Sequence, residues 1–259
     1  MAFTPFDLAG KVALITGGNS GIGLGFAEGI AQAGGSVEIW GRNADKNERA
    51  REQLLRHGGE VSTRVVEIGD EQQVVQGIAD AISRFGRLDS VFASAGLGGE
   101  SPFVDFPTET FRKVINANLE GVFWTFREAS RHMVDRADRG DPGGSLVAVS
   151  SLATRSGARG NQAYAASKGA VEAMVKGCAA ELAAKGVRVN AILPGWILTD
   201  MTKHVEHEPL FTKRIIPRIP AQRWGQPDDF SGIAVYLASD ASRYHTGDMI
   251  VIDGGWDLS

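Results

Sequence analysis

Only one cysteine, Cys178, occurs among the 259 residues, so the chain cannot close a disulfide within itself. It falls in a helical pattern, where a small packed side chain is the plain reading. Charge of one sign is nowhere concentrated. The 27 Lys and Arg against 31 Asp and Glu give a formal net charge of -4, with no basic block and no basic stripe interleaved with aromatics. That pattern argues against a nucleic-acid partner. Long apolar runs are missing too, and the longest fall well short of a membrane span. Met1–Gly10 has neither the basic start nor the apolar run of a secretory signal. A soluble cytoplasmic protein with no membrane partner is therefore expected.

Glycine, by contrast, is plentiful at 33 residues, and short runs of valine and isoleucine recur along the chain. These runs predict strands near Lys11–Thr16, Ser36–Trp40, Val61–Ile68, Leu88–Ala93, Ser145–Ser150, Val187–Leu193 and Met249–Ile252. Between them, helical patterns predict helices near Gly21–Ala33, Ala44–His57, Glu71–Phe85, Thr108–Val134, Asn161–Ala184 and Pro227–Ala238. Strands apolar on both faces that alternate with helices indicate a parallel sheet covered on both sides. The expected fold class is α/β: a doubly wound parallel sheet of about seven strands, helices on both faces, as a single domain over residues 1–259. Alternation lapses only at 194–226, which carries four prolines and mixed charge. Long irregular insertions in compact domains are usually lids or binding loops. This segment is read as the substrate cover, a plain surface excursion being the alternative.

The first strand runs directly into Gly17-Gly18-Asn19-Ser20-Gly21-Ile22-Gly23, which opens a helix. Glycines there permit a tight turn and let the backbone approach a pyrophosphate, whose charge meets amides at the helix N-terminus. The position after the first strand makes this Rossmann-type reading much stronger than an isolated glycine cluster would. The second strand ends Trp40-Gly41-Arg42. A carboxylate at this point suits NAD, whereas a guanidinium suits a 2′-phosphate. Gly41 and Arg42 thus favour NADP(H), with NAD(H) as the alternative if Arg42 is merely solvated.

Tyr164 and Lys168 stand one helical turn apart and project from the same face. A phenol titrates near pH 10, too high to exchange protons usefully at neutrality, and a neighbouring ammonium favours its ionised form. The pair is a candidate acid/base device, although alone it reads more readily as a solvated helix face.

Taken together, Thr16–Gly23, Ala95-Gly96, Asn118–Gly121, Ser150-Ser151, Tyr164-x-x-x-Lys168 and Pro194-Gly195 resemble the classical short-chain dehydrogenase/reductase family, over essentially the whole chain. The resemblance implies a proton relay. Tyr164 would exchange the proton with the substrate oxygen, and Lys168 would lower the Tyr164 pKa and hold the nicotinamide ribose. Ser151 would hydrogen-bond the substrate oxygen, and Asn118 would hold a water linking Lys168 to solvent. Further cofactor contacts are implied at Gly17, Asn19, Ser20, Gly21, Ile22, Gly23, Arg42, Glu67, Ile68, Ala95, Gly96, Pro194, Gly195, Ile197 and Thr199. The family usually has aspartate where Glu67 stands, and two asparagines where this chain has Ala93-Ser94. Some bracing of the central sheet is expected to be lost or replaced there.

Residues expected to line the substrate pocket are Ser151, Tyr164, Leu97, Gly98, Gly99, Glu100, Ala153, Arg155, Trp196, Met201 and His204. Trp196 and Met201 suggest an apolar wall, and Arg155 an anionic or hydroxylated group; Arg155 and His204 read equally well as loop surface. The cluster His204, Glu206, His207, Glu208 reads as a solvated charged loop, so no metal is expected. Three substrate groups stay open: 3-oxoacyl thioesters, sugars or polyols, and hydrophobic cyclic ketones or alcohols. A small-to-medium ketone or secondary alcohol is favoured by the short cover. From another class, a nucleotide-binding sensor or scaffold without turnover remains the alternative. The family resemblance also implies a homotetramer, with a homodimer as the alternative, built by pairing the fourth and fifth helices and by contacts at Asp248–Ser259.

Overall fold

A computed structural model describes residues 4–203 and 213–258. Its centre is a sheet of seven strands: β1 (Val12–Thr16), β2 (Ser36–Gly41), β3 (Val61–Val65), β4 (Ser90–Ala93), β5 (Gly144–Val149), β6 (Val187–Pro194) and β7 (Met249–Ile252). They lie in the order β3-β2-β1-β4-β5-β6-β7, every neighbouring pair parallel. The order reverses between β1 and β4, and in such sheets ligands bind beyond the carboxyl ends of the strands at that reversal.

Alternation along each strand divides the core into two layers. On β1, Val12 and Leu14 face one layer while Ala13 and Ile15 face the other. The first layer is closed by α3 (Glu71–Phe85), α5 (Gly121–Asp138) and α7 (Gln162–Leu182), through Val74, Ile78, Phe126, Val171 and Val175. The second is closed by α1 (Gly21–Gln32), α2 (Ala44–Leu55) and α8 (Ser231–Ala238), through Phe26, Ile30, Leu54, Ala234 and Leu237. Each such Val, Leu, Ile or Phe side chain taken fully out of water contributes about 1.5–3 kcal/mol.

Local chemistry sets the element ends. Asn43 accepts the Lys46 N–H at 2.8 Å to open α2, and Asp70 accepts the Gln73 N–H at 3.2 Å to open α3. Gly86, at φ 76°, closes α3. The expected strand Val61–Ile68 stops at Val65, because Gly41↔Val65 is the last pair that β2 offers to this edge strand. The expected strand Leu88–Ala93 begins at Ser90; Asp89 instead turns its carboxylate onto the Val12 N–H at 2.9 Å.

The predicted helix Thr108–Val134 is three pieces: α4 (Thr108–Ile115), a π-helical turn Asn116–Glu120, and α5. The predicted helix Pro227–Ala238 begins as a 3-10 turn, Pro227–Phe230, capped by a reciprocal Gln226–Asp229 box. A short α6 (Ala153–Ser156), unforeseen from sequence, follows β5. No helix among the described residues is long and apolar enough to cross a membrane.

Candidate active site

The glycine turn between β1 and α1 lies at the point of strand reversal. Gly17 has φ +67°, and a Cβ on it would stand 3.0 Å from the Ala95 backbone. A Cβ on Gly23 would collide with the Gly17 carbonyl. Only glycine lets α1 begin this close to the turn, and that closeness is the cradle a pyrophosphate requires. The open site beside it is a cleft of about 410 Å³ whose lining includes Asn19, Ser20, Gly21, Lys46, Thr199 and Asp200. Ala95 donates its N–H to Thr16 Oγ1 at 3.1 Å. Bracing here thus comes from Thr16, while Ser94 contributes its backbone N–H to the Phe92 carbonyl at 3.1 Å.

At the end of β2, a Cβ on Gly41 would clash with the side chains of Asn19 and Asn47. Asn19 donates to Asn47 Oδ1 at 2.7 Å, and Asn47 donates to the carbonyls of Gly41 and Arg64 at 3.0 and 3.1 Å. Buried Asn47 therefore ties the glycine turn to the ends of β2 and β3. A carboxylate side chain has no room at position 41. Arg42 is exposed and stands 3.7 Å from Glu67 Oε2. Glu67 is held by its N–H to Gln73 Oε1 at 2.9 Å.

Ile197 is buried and bridges Gly225, and Thr199 packs against Gly21. Thr202 Oγ1 donates to the Ile197 carbonyl at 2.5 Å and accepts the Thr199 N–H at 3.0 Å, shaping this strap beyond Pro194-Gly195. Asp200 then receives Lys46 at 2.7 Å and Lys203 at 2.5 Å, and these hydrogen bonds bring its pKa down to about 2. Sequence reading missed Lys46 and Asp200, which are 154 positions apart.

Beyond β5, Ser151 and Tyr164 meet in a side-chain hydrogen bond. Ser151 Oγ also accepts the Ala153 N–H at 3.1 Å. Glu172, one turn beyond Lys168 on α7, accepts Ser150 Oγ at 2.6 Å and Thr154 Oγ1 at 2.9 Å. Its carboxylate thus clamps both sides of Ser151, a role the sequence did not signal.

Lys168 is buried, donates to the Val149 carbonyl at 2.6 Å, and sits 5.6 Å from the Tyr164 ring centroid. Desolvation lowers its pKa to about 8. A protonated lysine so placed disfavours folding by about 3 kcal/mol below pH 8, a penalty that fades as pH rises toward the ordinary lysine value. For Tyr164, burial pushes the phenol pKa up and the Ser151 hydrogen bond pulls it down; the lowering expected from Lys168 is not among these effects. The ammonium is directed at a carbonyl and the ring centroid, and desolvation of the phenolate wins.

Asn118 lies within the π turn and is fully buried. Its Oδ1 accepts the Leu97 N–H at 2.7 Å, and its Nδ2 donates to the Leu97 carbonyl at 2.9 Å and to Ser167 Oγ at 3.1 Å. The side chain is committed to these partners rather than aimed at Lys168. Both Asn118 and Lys168 nonetheless border Gly96.

Of the expected pocket residues, Leu97 is held by Asn118, and Gly99 donates its N–H to Asn161 Oδ1 at 3.2 Å. Ala153 is half-buried, and Gly98, Glu100 and Met201 are exposed. Trp196 meets Trp224 and Trp256 edge-on at 5.9 and 6.0 Å. Ile68 is buried beside Gly121. Arg155 is held in an ion pair with Asp257, 102 positions away. His204, Glu206, His207 and Glu208 lie outside the described residues.

A family model described as enoyl-(acyl carrier protein) reductase matches residues 17–257. The 2-dehydro-3-deoxy-D-gluconate 5-dehydrogenase of Bacillus subtilis (strain 168) is 37% identical over 251 residues, 97% of this chain and 96% of that protein. The gluconate 5-dehydrogenase of Gluconobacter oxydans (strain 621H) is 33% identical over 254 residues, covering 98% and 97% respectively. Among solved structures, a gluconate 5-dehydrogenase from Burkholderia cenocepacia J2315 in complex with NADP and tartrate superposes with a TM-score of 0.93 at 31% identity, over 100% of both chains.

Proposed function

The chain belongs to the short-chain dehydrogenase/reductase family, and we propose that it is an NADP(H)-dependent enzyme interconverting a ketone and a secondary alcohol on a small hydroxylated substrate. The observation that carries this reading is the Ser151–Tyr164 hydrogen bond above a buried Lys168, at the carboxyl end of β5 beside the glycine cradle. Sugar and sugar-acid relatives support the hydroxylated substrate class. NADP bound in similar structures, and exposed Arg42 just past the end of β2, support the choice of nucleotide.

When bound, the nicotinamide supplies or accepts the hydride. In the reducing direction Tyr164 donates its proton to the carbonyl oxygen, and Ser151 Oγ–H hydrogen-bonds that same oxygen as negative charge builds on it. Burial keeps the phenol protonated until hydride transfer, and the Ser151 hydrogen bond pulls its pKa back toward the range where the proton can be given up. Lys168 adds positive charge beneath the ring, and Glu172 keeps Ser151 in register. Gly17–Gly23, with Ala95, Gly96, Pro194, Gly195, Ile197 and Thr199, hold the nucleotide, and the described parts of the expected cover, 194–203 and 213–226, lie over the substrate. The whole acts as one domain, in the cytoplasm where NADP(H) is replenished, as a homotetramer.

Tyr164→Phe tests the mechanism. Carbonyl-dependent NADPH oxidation should fall by at least about a hundredfold, while NADPH binding, followed by fluorescence, stays within about twofold. Turnover undiminished in that variant would remove Tyr164 from the chemistry, and a protein that binds NADPH but reduces no ketone would be a sensor instead.

A further inference from the structure

Strands β6 and β7 end side by side at Pro194↔Ile252. Just beyond, Gly195 and Asp253 are so close that a Cβ on the glycine would stand 2.6 Å from that of the aspartate. The Asp253 carboxylate accepts the N–H groups of Gly255 at 2.8 Å and Asp257 at 2.7 Å. These bonds wind the tail into a turn. Trp256 then meets Trp196 edge-on, and the Arg218 guanidinium lies 4.3 Å from the Trp256 ring centroid. The turn carries Asp257 across to α6, where its Oδ2 stands 2.5 Å from Arg155 Nη1. Arg155 lies four positions after Ser151, so the ion pair anchors the tail to the segment that carries Ser151, the partner of Tyr164.

The consequence is electrostatic. Arg155 is a cation on this side that a substrate carboxylate would seek, and, unlike Arg218 over the Trp256 ring, its partner is already a carboxylate. The side chains are 43% and 27% exposed, so the pair can be exchanged by a competing anion rather than being locked in the core. A neutral hydroxylated chain binds with the pair intact, whereas an acid must displace Asp257 or approach it against like charge. We propose that Asp257 is a specificity-determining residue, which biases the cleft toward neutral hydroxy-ketones and alcohols over their carboxylate-bearing analogues. This rests on the reading of the cleft as the substrate site.

The test compares two probes of the same four-carbon skeleton, tartrate and threitol, titrated calorimetrically onto the NADP-loaded protein. Asp257→Asn should bind tartrate about fivefold more tightly than the native protein, leaving threitol unchanged. Adding Arg155→Gln to that variant should cancel the gain. Asp257→Ser repeats the measurement should the asparagine disturb the turn. Equal tartrate affinity in native and variant proteins, an equal gain for threitol, or no tartrate binding to either variant overturns the proposal. Because the readout is binding, it stands apart from turnover: loss of the Tyr164 mechanism would leave the tartrate-to-threitol ratio to be judged separately.

Discussion

Arg42 is poised between two anions. Glu67 holds it loosely at 3.7 Å, with both side chains about half exposed, and a pair of that kind contributes less than about 1 kcal/mol. A 2′-phosphate offers more oxygens and more charge in a fork geometry that guanidinium matches, so it wins the competition. Arg42→Ala should therefore raise KM for NADPH about tenfold and leave that for NADH within about twofold, as initial rates with the two nucleotides will show. Equal loss for both would remove Arg42 from cofactor choice. The contrast with position 41 is instructive. Arg42 was legible in the sequence as a charge at a known place. The reason no carboxylate sits beside it was hidden, because it lies in the space taken by Asn19 and Asn47.

At the scale of elements, the π turn Asn116–Glu120 is the feature that most separates pattern from structure. Periodicity reads Thr108–Val134 as one helix, since an extra residue in a single turn barely disturbs the apolar repeat. The turn exists because Asn118 must face inward to make its three hydrogen bonds to Leu97 and Ser167. Each contributes about 1 kcal/mol and offsets the poorer helical bonding. Gly121 ends the turn against β3's exit, where a Cβ would stand 2.7 Å from the Ile68 carbonyl. Gly121→Ala should accordingly lower stability by about 1–3 kcal/mol in urea unfolding and, by shifting Ile68, weaken NADPH binding as well. Unchanged stability would mean that the helix tolerates displacement there. The same logic explains the rest of what was and was not legible. Strand sites, the glycine turn and the Tyr164/Lys168 spacing are local patterns. Glu172 on Ser150, Lys46 on Asp200 and Asp257 on Arg155 join positions 22 to 154 residues apart, and only the folded sheet brings them together.

The whole molecule shows two helical faces that its own core does not use. Along α7, Ser167, Lys168, Val171 and Val175 are buried inward, while Ala166, Ala173, Gly177 and Ala180 are exposed outward. Ala179 faces its own core instead. On the neighbouring run, Phe111 of α4 and Phe123 of α5 are 45% and 46% exposed. Aromatic rings against a smooth small-residue face suit a self-complementary two-fold contact, in which every substitution is felt twice. A stable contact of this kind buries about 1,200–2,000 Å² in total, an area that two long helices from each copy can supply. The inner side of α7 carries Tyr164 and Lys168, so closing its outer side would also stiffen the element that positions the proton donor. Sedimentation velocity should show the native protein as a tetramer. Phe123→Glu, which places two like charges in each such contact, should shift it to dimer or monomer and lower its melting temperature by several degrees. A variant that sediments as the native protein would show that α4, α5 and α7 are not the contact, and a native monomer would dispose of the assembly altogether.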